Sequence, residues 1–379
     1  MTQDFFLNGR GHGAVAEQLS AIGGDPGRLR PYYDSNGQKC VTINTGQVDA
    51  EGKPVFEALT LNEAERMGLS INATTILRKD EWITLDNVVL QAARQRLRAW
   101  SDLAAVSSYG GFDGYATTIL EYEAASDPGE ANTDMDGLSE GRNDAMKYQL
   151  EGMPLPITHS DFFVRDRQLA ASRSRGLPID LSMGEAAGRR VAEKIEKMLV
   201  GTVTAFQYGK STDYSRTSAV YGYTTFTGRT TKTDLTTPTG SNGPAVLTDV
   251  LEMIELAYSN NFYGPFMLYH STDYSQFMDN LFSTTEPSAG TLRNRLREID
   301  DIQDVRRLDY LPSSTNPFTL ILVQMTGDVV RAVNGMPLTT VQWSTRGNLM
   351  HNFKVMTIMA PQIREDFNGN CGIVHATTS

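Results

Sequence analysis

The chain has 379 residues, of which 40% are hydrophobic and 21% charged, so it can bury a sizeable core and is not a disordered polymer. Its formal net charge of −11 excludes tight, sequence-independent binding to nucleic acid, which needs clustered lysine and arginine, but suits a surface that lies beside nucleic acid without adhering to it. Two cysteines near opposite ends, Cys40 and Cys371, form no CxxC pair, which excludes a zinc or redox motif and leaves two free thiols.

The start, MTQDFFLNGRGHG, lacks a basic stretch followed by an apolar run, so no signal peptide is expected, and no apolar run approaches a membrane span. Residues 1–83 have weak periodicity and many glycines. They read as an extended arm with short pieces, such as Ala14 to Ile22 and Lys39 to Ile43, that needs another surface to order it. Thr84 to Leu103 reads as a helix capped by Thr84, with Leu85, Val89, Ala92, Leu97, Trp100 and Leu103 on its apolar side. Residues 109 to about 170 read as a two-stranded excursion. The outgoing strand is Tyr115 to Tyr122, and the return is Lys147 to Leu150 continued by Phe162 to Val164. The acidic stretch DPGEANTDMDGLSEGRNDA lies between them. So long a loop is out of place inside a compact domain and fits a hairpin that reaches onto a neighbour.

From Met153 to Gly201 the pattern is strand, then helix. Phe162 and Val164 alternate with Phe163 and Arg165, a period of two. After the turn Gly176-Leu177-Pro178, Ser182 and Glu185 have the spacing of a capping box, and Ala187, Val191, Ile195 and Leu199 form one helical stripe ended by Gly201. Arg189, Arg190, Glu193, Lys194, Glu196 and Lys197 occupy the other faces. Strands are expected at Val203 to Tyr208 and Val220 to Thr227. An α/β pattern follows, with helices at Leu247 to Tyr258, Thr272 to Phe282 and Thr291 to Ile299. The expected strands there are Phe266 to Tyr269, Val305 to Leu308, Thr319 to Met325, Val329 to Val333 and Phe353 to Met359.

No catalytic constellation emerges. Gly209-Lys210-Ser211 lacks the glycine that a phosphate loop needs at the position of Thr204, Gly9 to Gly13 has the wrong spacing for a dinucleotide site, and no G-x-S-x-G elbow occurs. The five histidines, His12, His159, His270, His351 and His375, are scattered without metal-ligand spacing. Asn132-x-Asp134-x-Asp136-Gly137 matches half a calcium loop, but the twelfth position is Asn143 rather than a bidentate glutamate, so a solvated loop tip is the better reading. The residues therefore describe an α+β protein with a long arm and a long hairpin, features that self-assembly would satisfy.

Several of these residues resemble a known family. Leu155-Pro156-Ile157, Asp161-Phe162, Leu169, Ser172-Arg173, Gly176, Pro178, Asp180, Ala186-Ala187, Val191-Ala192, Glu196 and Gly201 are similar to the core of the encapsulin and tailed-phage major capsid superfamily, the Hong-Kong-97-type (HK97-like) capsid fold. Tyr263-Gly264-Pro265-Phe266 resembles the step into its axial domain. The resemblance implies an N-terminal arm (1–83), a helix on the peripheral domain (84–108) and an E-loop hairpin (109–175). It further implies a peripheral domain (176–246) with a spine helix (183–200), an axial domain (247–345) and C-terminal strands returning to the peripheral domain (346–379).

The function it implies is structural and non-enzymatic. Copies would form pentamers and hexamers that close into an icosahedral shell around double-stranded DNA, without sequence-specific contacts. Scaffolding, portal and decoration proteins would be partners, assembly would take place in the host cytoplasm and the product would be a virion; no membrane, cofactor, metal or catalytic residue is implied. Matching encapsulins lack so long an N-terminal segment, so the arm favours a virus capsid over the alternative, an encapsulin-type nanocompartment shell; a soluble enzyme or binding module is the more distant alternative. Candidate assembly contacts are Asp134, Asp136, Arg142, Lys147 and Arg165 on the hairpin side and Arg189, Arg190, Glu193 and Lys197 on the spine helix. Lys147 lies on the return strand rather than at the tip, so the crosslinking known in a few family members is not carried over to it.

Overall fold

The structure, a computed structural model, describes residues 32–33, 38–48, 54–66, 79–125, 135, 148–174, 181–201, 205–208, 216–282, 290–311, 318–347, 349–366 and 368–378. The expected short piece at 14–22, the turn at 176–178 and the motifs at 9–13, 132–134, 136–137 and 209–211 lie outside these residues.

Part of the arm is a small sheet. Strands β1 (Tyr32–Tyr33), β2 (Lys39–Val48) and β3 (Pro54–Thr60) pair antiparallel in that order. Cys40 and Val41 are buried, so this segment has more structure of its own than its glycines suggest. The short helix α1 (Leu61–Arg66) follows. Its first turn closes with a true capping box. Glu63 Nα–H donates to Thr60 Oγ1 at 3.4 Å, and Thr60 N–H donates to Glu63 Oε2 at 2.9 Å.

The single helix expected over 84–103 is two, α2 (Lys79–Arg94) and α3 (Ala99–Val106), with a break at 95–98. Leu85, Val89, Ala92, Trp100 and Leu103 are buried, as the periodicity requires. The two-residue strand β4 (Ser108–Tyr109) leads to a two-stranded ribbon, β5 (Ile119–Ala125) against β6 (Tyr148–Pro154), paired from Ile119↔Pro154 to Ala125↔Tyr148. The expected return leg is not continuous. After a break at 155–157, β7 (Thr158–Arg165) joins a different sheet, so the paired ribbon itself spans 119–154. Helix α4 (Asp166–Ser174), which periodicity did not reveal, separates β7 from the spine helix α5 (Ser182–Val200). Leu181, not Ser182, holds the N-cap position of α5, and no side chain caps it there. Gly201 ends α5 in the left-handed region at φ 105°, where a Cβ would be strained.

Beyond α5, β8 (Ala205–Tyr208) and β9 (Arg216–Ala219) form a hairpin, whereas the strand expected over 220–227 is a run of turns. Then follow β10 (Thr230–Lys232), α6 (Gly243–Ser259), β11 (Phe266–His270), a 3-10 turn at Thr272–Tyr274, α7 (Ser275–Met278), α8 (Leu292–Arg297), β12 (Ile302–Arg307), β13 (Thr319–Gln324), β14 (Val330–Thr345), β15 (Met350–Ile363) and β16 (Ile373–Thr377). Leu251 on α6 and Leu281 after α7 are 47% and 48% exposed.

Two sheets organise the core. One has the order β4-β14-β15-β7, and the other β10-β16-β13-β11-β12. Strand β14 lies in the first sheet, here called peripheral, and the last strand, β16, lies in the second, the axial sheet. In the axial sheet β11 and β13 are buried on both faces. By the period of two, Phe266, Leu268, Leu320 and Leu322 meet α6, while Met267, Tyr269, Ile321 and Val323 meet the cluster built around α2 and α5. Ala187, Val191, Ile195 and Leu199 of α5 are each at most 3% exposed. The three larger ones contribute roughly 1.5–3 kcal/mol apiece, more than any propensity difference along the helix.

Candidate functional site

The spine helix is the strut between the two sheets, and its close approach to α2 has a simple cause. Glycines at 184 and 188 lie one turn apart on α5. A Cβ built on Gly188 would stand 2.8 Å from the Val89 carbonyl oxygen, and one on Gly184 would stand 2.7 Å from Leu85 Cδ1. At 188, where the atom met is backbone, only glycine lets the two helices come this near.

One of the charged residues assigned to the outer faces of α5 points inward. Glu196 is 2% exposed. Its carboxylate accepts Ala99 N–H at 2.7 Å and Trp100 N–H at 3.2 Å. Those are orphan donors in the first turn of α3, so a side chain almost a hundred residues away caps that helix and restarts it after the break. Burial pushes the Glu196 carboxyl up to about 7, against the pull of those amides and with the nearby Asp102 charge adding to the rise.

Asp102 extends the joint into the axial sheet. Tyr269 Oη donates to Asp102 Oδ2 at 3.2 Å, and Arg306 on β12 pairs with Oδ1. Burial holds Asp102 above the usual carboxylate range although Arg306 opposes it, and burial likewise raises the Tyr269 and Tyr223 phenols. N-terminal helix, spine helix and axial sheet thus meet at Glu196, Asp102 and Tyr269. Family resemblance placed Glu196 in the core pattern, but nothing in the local sequence separates it from its solvated neighbours.

The other candidate contacts divide into two sets. Glu193 lies 3.8 Å from Arg96 and 4.0 Å from Arg189, and Lys197 Nζ sits 5.1 Å over the Tyr310 ring, so both have partners in their own chain. Arg165 and Arg190 are exposed, with no ion-pair partner among the described residues. Asp134, Asp136, Arg142 and Lys147 lie outside the described residues. Of the ribbon itself, Leu120 and Met153 pack into a cluster with Met198, Val333 and Ile358, and the Arg364 guanidinium lies 5.9 Å from the Tyr122 ring centroid. Both ribbon strands pair only with each other among the described residues.

Among the described residues no group of three or more His, Cys, Asp or Glu side chains could hold a metal ion, and no helix is long and apolar enough to cross a membrane. His351 is buried, with Nδ1 3.2 Å from Ser344 Oγ and Nε2 3.1 Å from Asp166 Oδ1. His159 pairs with Asp161 at 3.2 Å on the surface. Cys40 and Cys371 are free and buried, and burial pushes the Cys371 thiol up to about 12.

No curated protein matches the chain in sequence. In structure it is similar to a virus-like particle from Pyrococcus furiosus, with 16% identity and a TM-score of 0.52 over 77% of this chain and 97% of that one. It is similar also to the capsid of Myoviridae phage XM1, with 10% identity and a TM-score of 0.52 over 73% of this chain and 90% of that one. The fold is therefore the Hong-Kong-97-type capsid fold that the spine-helix residues led us to expect. The chain matches the family of unknown function DUF6260 over residues 72–376, and belongs to it.

Proposed function

We propose that the protein is a major capsid protein whose copies assemble, through pentamers and hexamers, into an icosahedral shell that encloses double-stranded DNA. The observation that carries this reading is a Hong-Kong-97-type subunit with a ribbon whose strands pair with no other strand of its own chain among the described residues. A two-stranded ribbon with both outer edges unpaired is marginal in water, and a neighbouring subunit would satisfy those edges. The net charge of −11 suits a container, since a strongly basic inner wall would retard packing and release of DNA. In this reading the role is structural, scaffolding, portal and decoration proteins are partners, and assembly takes place in the host cytoplasm to give a virion component.

The test is expression of the chain, alone and with a scaffolding protein encoded beside it, followed by electron microscopy and nuclease treatment of the product. Closed shells are expected on expression, and shells recovered from phage-infected cells are expected to hold nuclease-protected DNA. A protein that stays monomeric under every condition would refute the shell reading. The likeness to the Pyrococcus particle favours one second reading, a nanocompartment shell. Shells holding a protein cargo and no protected DNA would establish it instead.

A further inference from the structure

A cleft of about 500 Å3 opens where the break between α2 and α3 faces the axial domain. Six arginines line it: Arg94 and Arg98 from the helix break, Arg293 and Arg297 from α8, and Arg306 and Arg307 from β12. Their partners are few. Arg293 Nε lies 3.0 Å from Asp279, Arg297 Nη2 lies 2.7 Å from Asp304, and Arg307 Nε lies 2.8 Å from Asp309. Arg306 shares Asp304 and Asp102, and Arg98 reaches Asp309 only at 3.8 Å. Arg94 is exposed, with no ion-pair partner among the described residues. Six guanidinium groups thus face four carboxylates, a local positive excess in a chain whose net charge is −11.

Two further atoms lack partners. Ser275 lines the cleft, and its Oγ has no hydrogen-bond partner. His270 is fully buried, its Nε2 is also without a partner, and the charged groups acting on it are Arg293, Arg307 and Asp279 of the cleft wall. The site is therefore polar and short of acceptors, which is the chemistry that receives carboxylates.

The ribbon tip is rich in carboxylates and nearly free of basic residues. Residues 127–144 hold Asp127, Glu130, Asp134, Asp136, Glu140 and Asp144 against a single Arg142. We propose that the arginine-lined cleft seats the 127–144 segment of a neighbouring copy. This rests on the shell reading and specifies which surface the ribbon engages. Opposite charge would steer the encounter and set its register, since a shifted tip would place Arg142 against the guanidinium groups.

A labelled peptide of residues 126–145 and the full chain test this directly, with binding read by fluorescence anisotropy. Binding is expected to weaken at 1 M salt, where the Debye length is about 3 Å. Arg94→Glu with Arg98→Glu, both on the solvent side of the helix break, should weaken it about tenfold or more without changing the melting curve. In particle assembly, the same double variant should fail, as should a chain with Asp134→Lys and Asp136→Lys, and combining the two should restore shells. No peptide binding, or binding undiminished in the cleft variant, would overturn the proposal. So would a DNA oligonucleotide that binds, and is lost in the same variant, where the peptide does not bind, because the cleft would then take phosphate. Failure of the wild-type chain to form shells refutes the shell reading and leaves the peptide result to decide this one.

Discussion

Glu196 Oε1 accepts the backbone N–H of Ala99 at 2.7 Å, across 97 positions of chain. The contact fixes where α3 begins and locks that helix to the spine. Removing the carboxyl strands two buried amides at once. Each costs about 1–3 kcal/mol, and loss of a cap costs about 0.5–2, the two overlapping. Glu196→Ala should therefore lower unfolding free energy by about 2–4 kcal/mol in urea titration. Glu196→Gln keeps one acceptor and should lose less than half as much. Equal losses from both variants would mean that the packing of the side chain, not its cap, matters.

The same carboxyl gives a pH signature. Its folded value is about 7 against an ordinary 4.5, so between those values the native chain binds more protons than the unfolded one. Its contribution is full below about pH 4.5 and is lost as pH rises through 7, on the order of 3 kcal/mol over the window. His270 and His375 work the other way. Burial lowers both from 6.5 to about 4, so their contribution is full above pH 6.5 and lost as pH falls. The informative quantity is therefore the difference between wild type and Glu196→Gln. The variant should gain on wild type steadily from pH 4.5 to 7.5, and a flat difference would show that Glu196 does not titrate in that range.

How far the sequence reveals this joint depends on where each cause lies. The stripe Ala187, Val191, Ile195 and Leu199 and the stop at Gly201 are written locally in spacing and residue type, and the structure follows them. The break between α2 and α3 is not, because its cap arrives from Glu196 and only tertiary contact creates it. Capping boxes show the same limit. Thr60 and Glu63 form one at a helix start, whereas the identical spacing at Ser182 and Glu185 does not mark one, since Leu181 holds the N-cap position and α5 already begins at Ser182. The ribbon's acidic tip was evident from composition. The cleft was not, since its arginines come from three separated segments that only the fold brings together.

Glycines on the spine helix separate two kinds of close contact. Replacing either with alanine gains up to about 1 kcal/mol of helix propensity. At 184 the new methyl meets the end of the Leu85 side chain, which can turn away, so Gly184→Ala should stay within about 1 kcal/mol of wild type. At 188 it meets the Val89 carbonyl oxygen, which can move only if α2 moves. Overpacking of that kind costs about 1–3 kcal/mol, so Gly188→Ala should be the clearly destabilised variant in a thermal melt. The reverse order would show that the α2–α5 separation is soft.

Arg190 and Lys197 occupy one helix yet should behave oppositely. Lys197, half-buried, lies over Tyr310 within its own chain, and a cation–ring contact of this kind contributes about 0.5–1 kcal/mol. Lys197→Ala should lower stability by that amount and leave shells intact. Arg190 is exposed, with no ion-pair partner among the described residues, so Arg190→Glu should change stability by no more than about 0.5 kcal/mol. If the spine's charged face meets a neighbouring subunit, the same reversal places like charges across that contact and particle yield should fall sharply in sedimentation. Arg165→Glu, exposed at the end of β7, provides a second probe of the same kind. Wild-type yields from both reversals would show that these arginines face only solvent, and would confine the electrostatic part of assembly to the ribbon and its cleft.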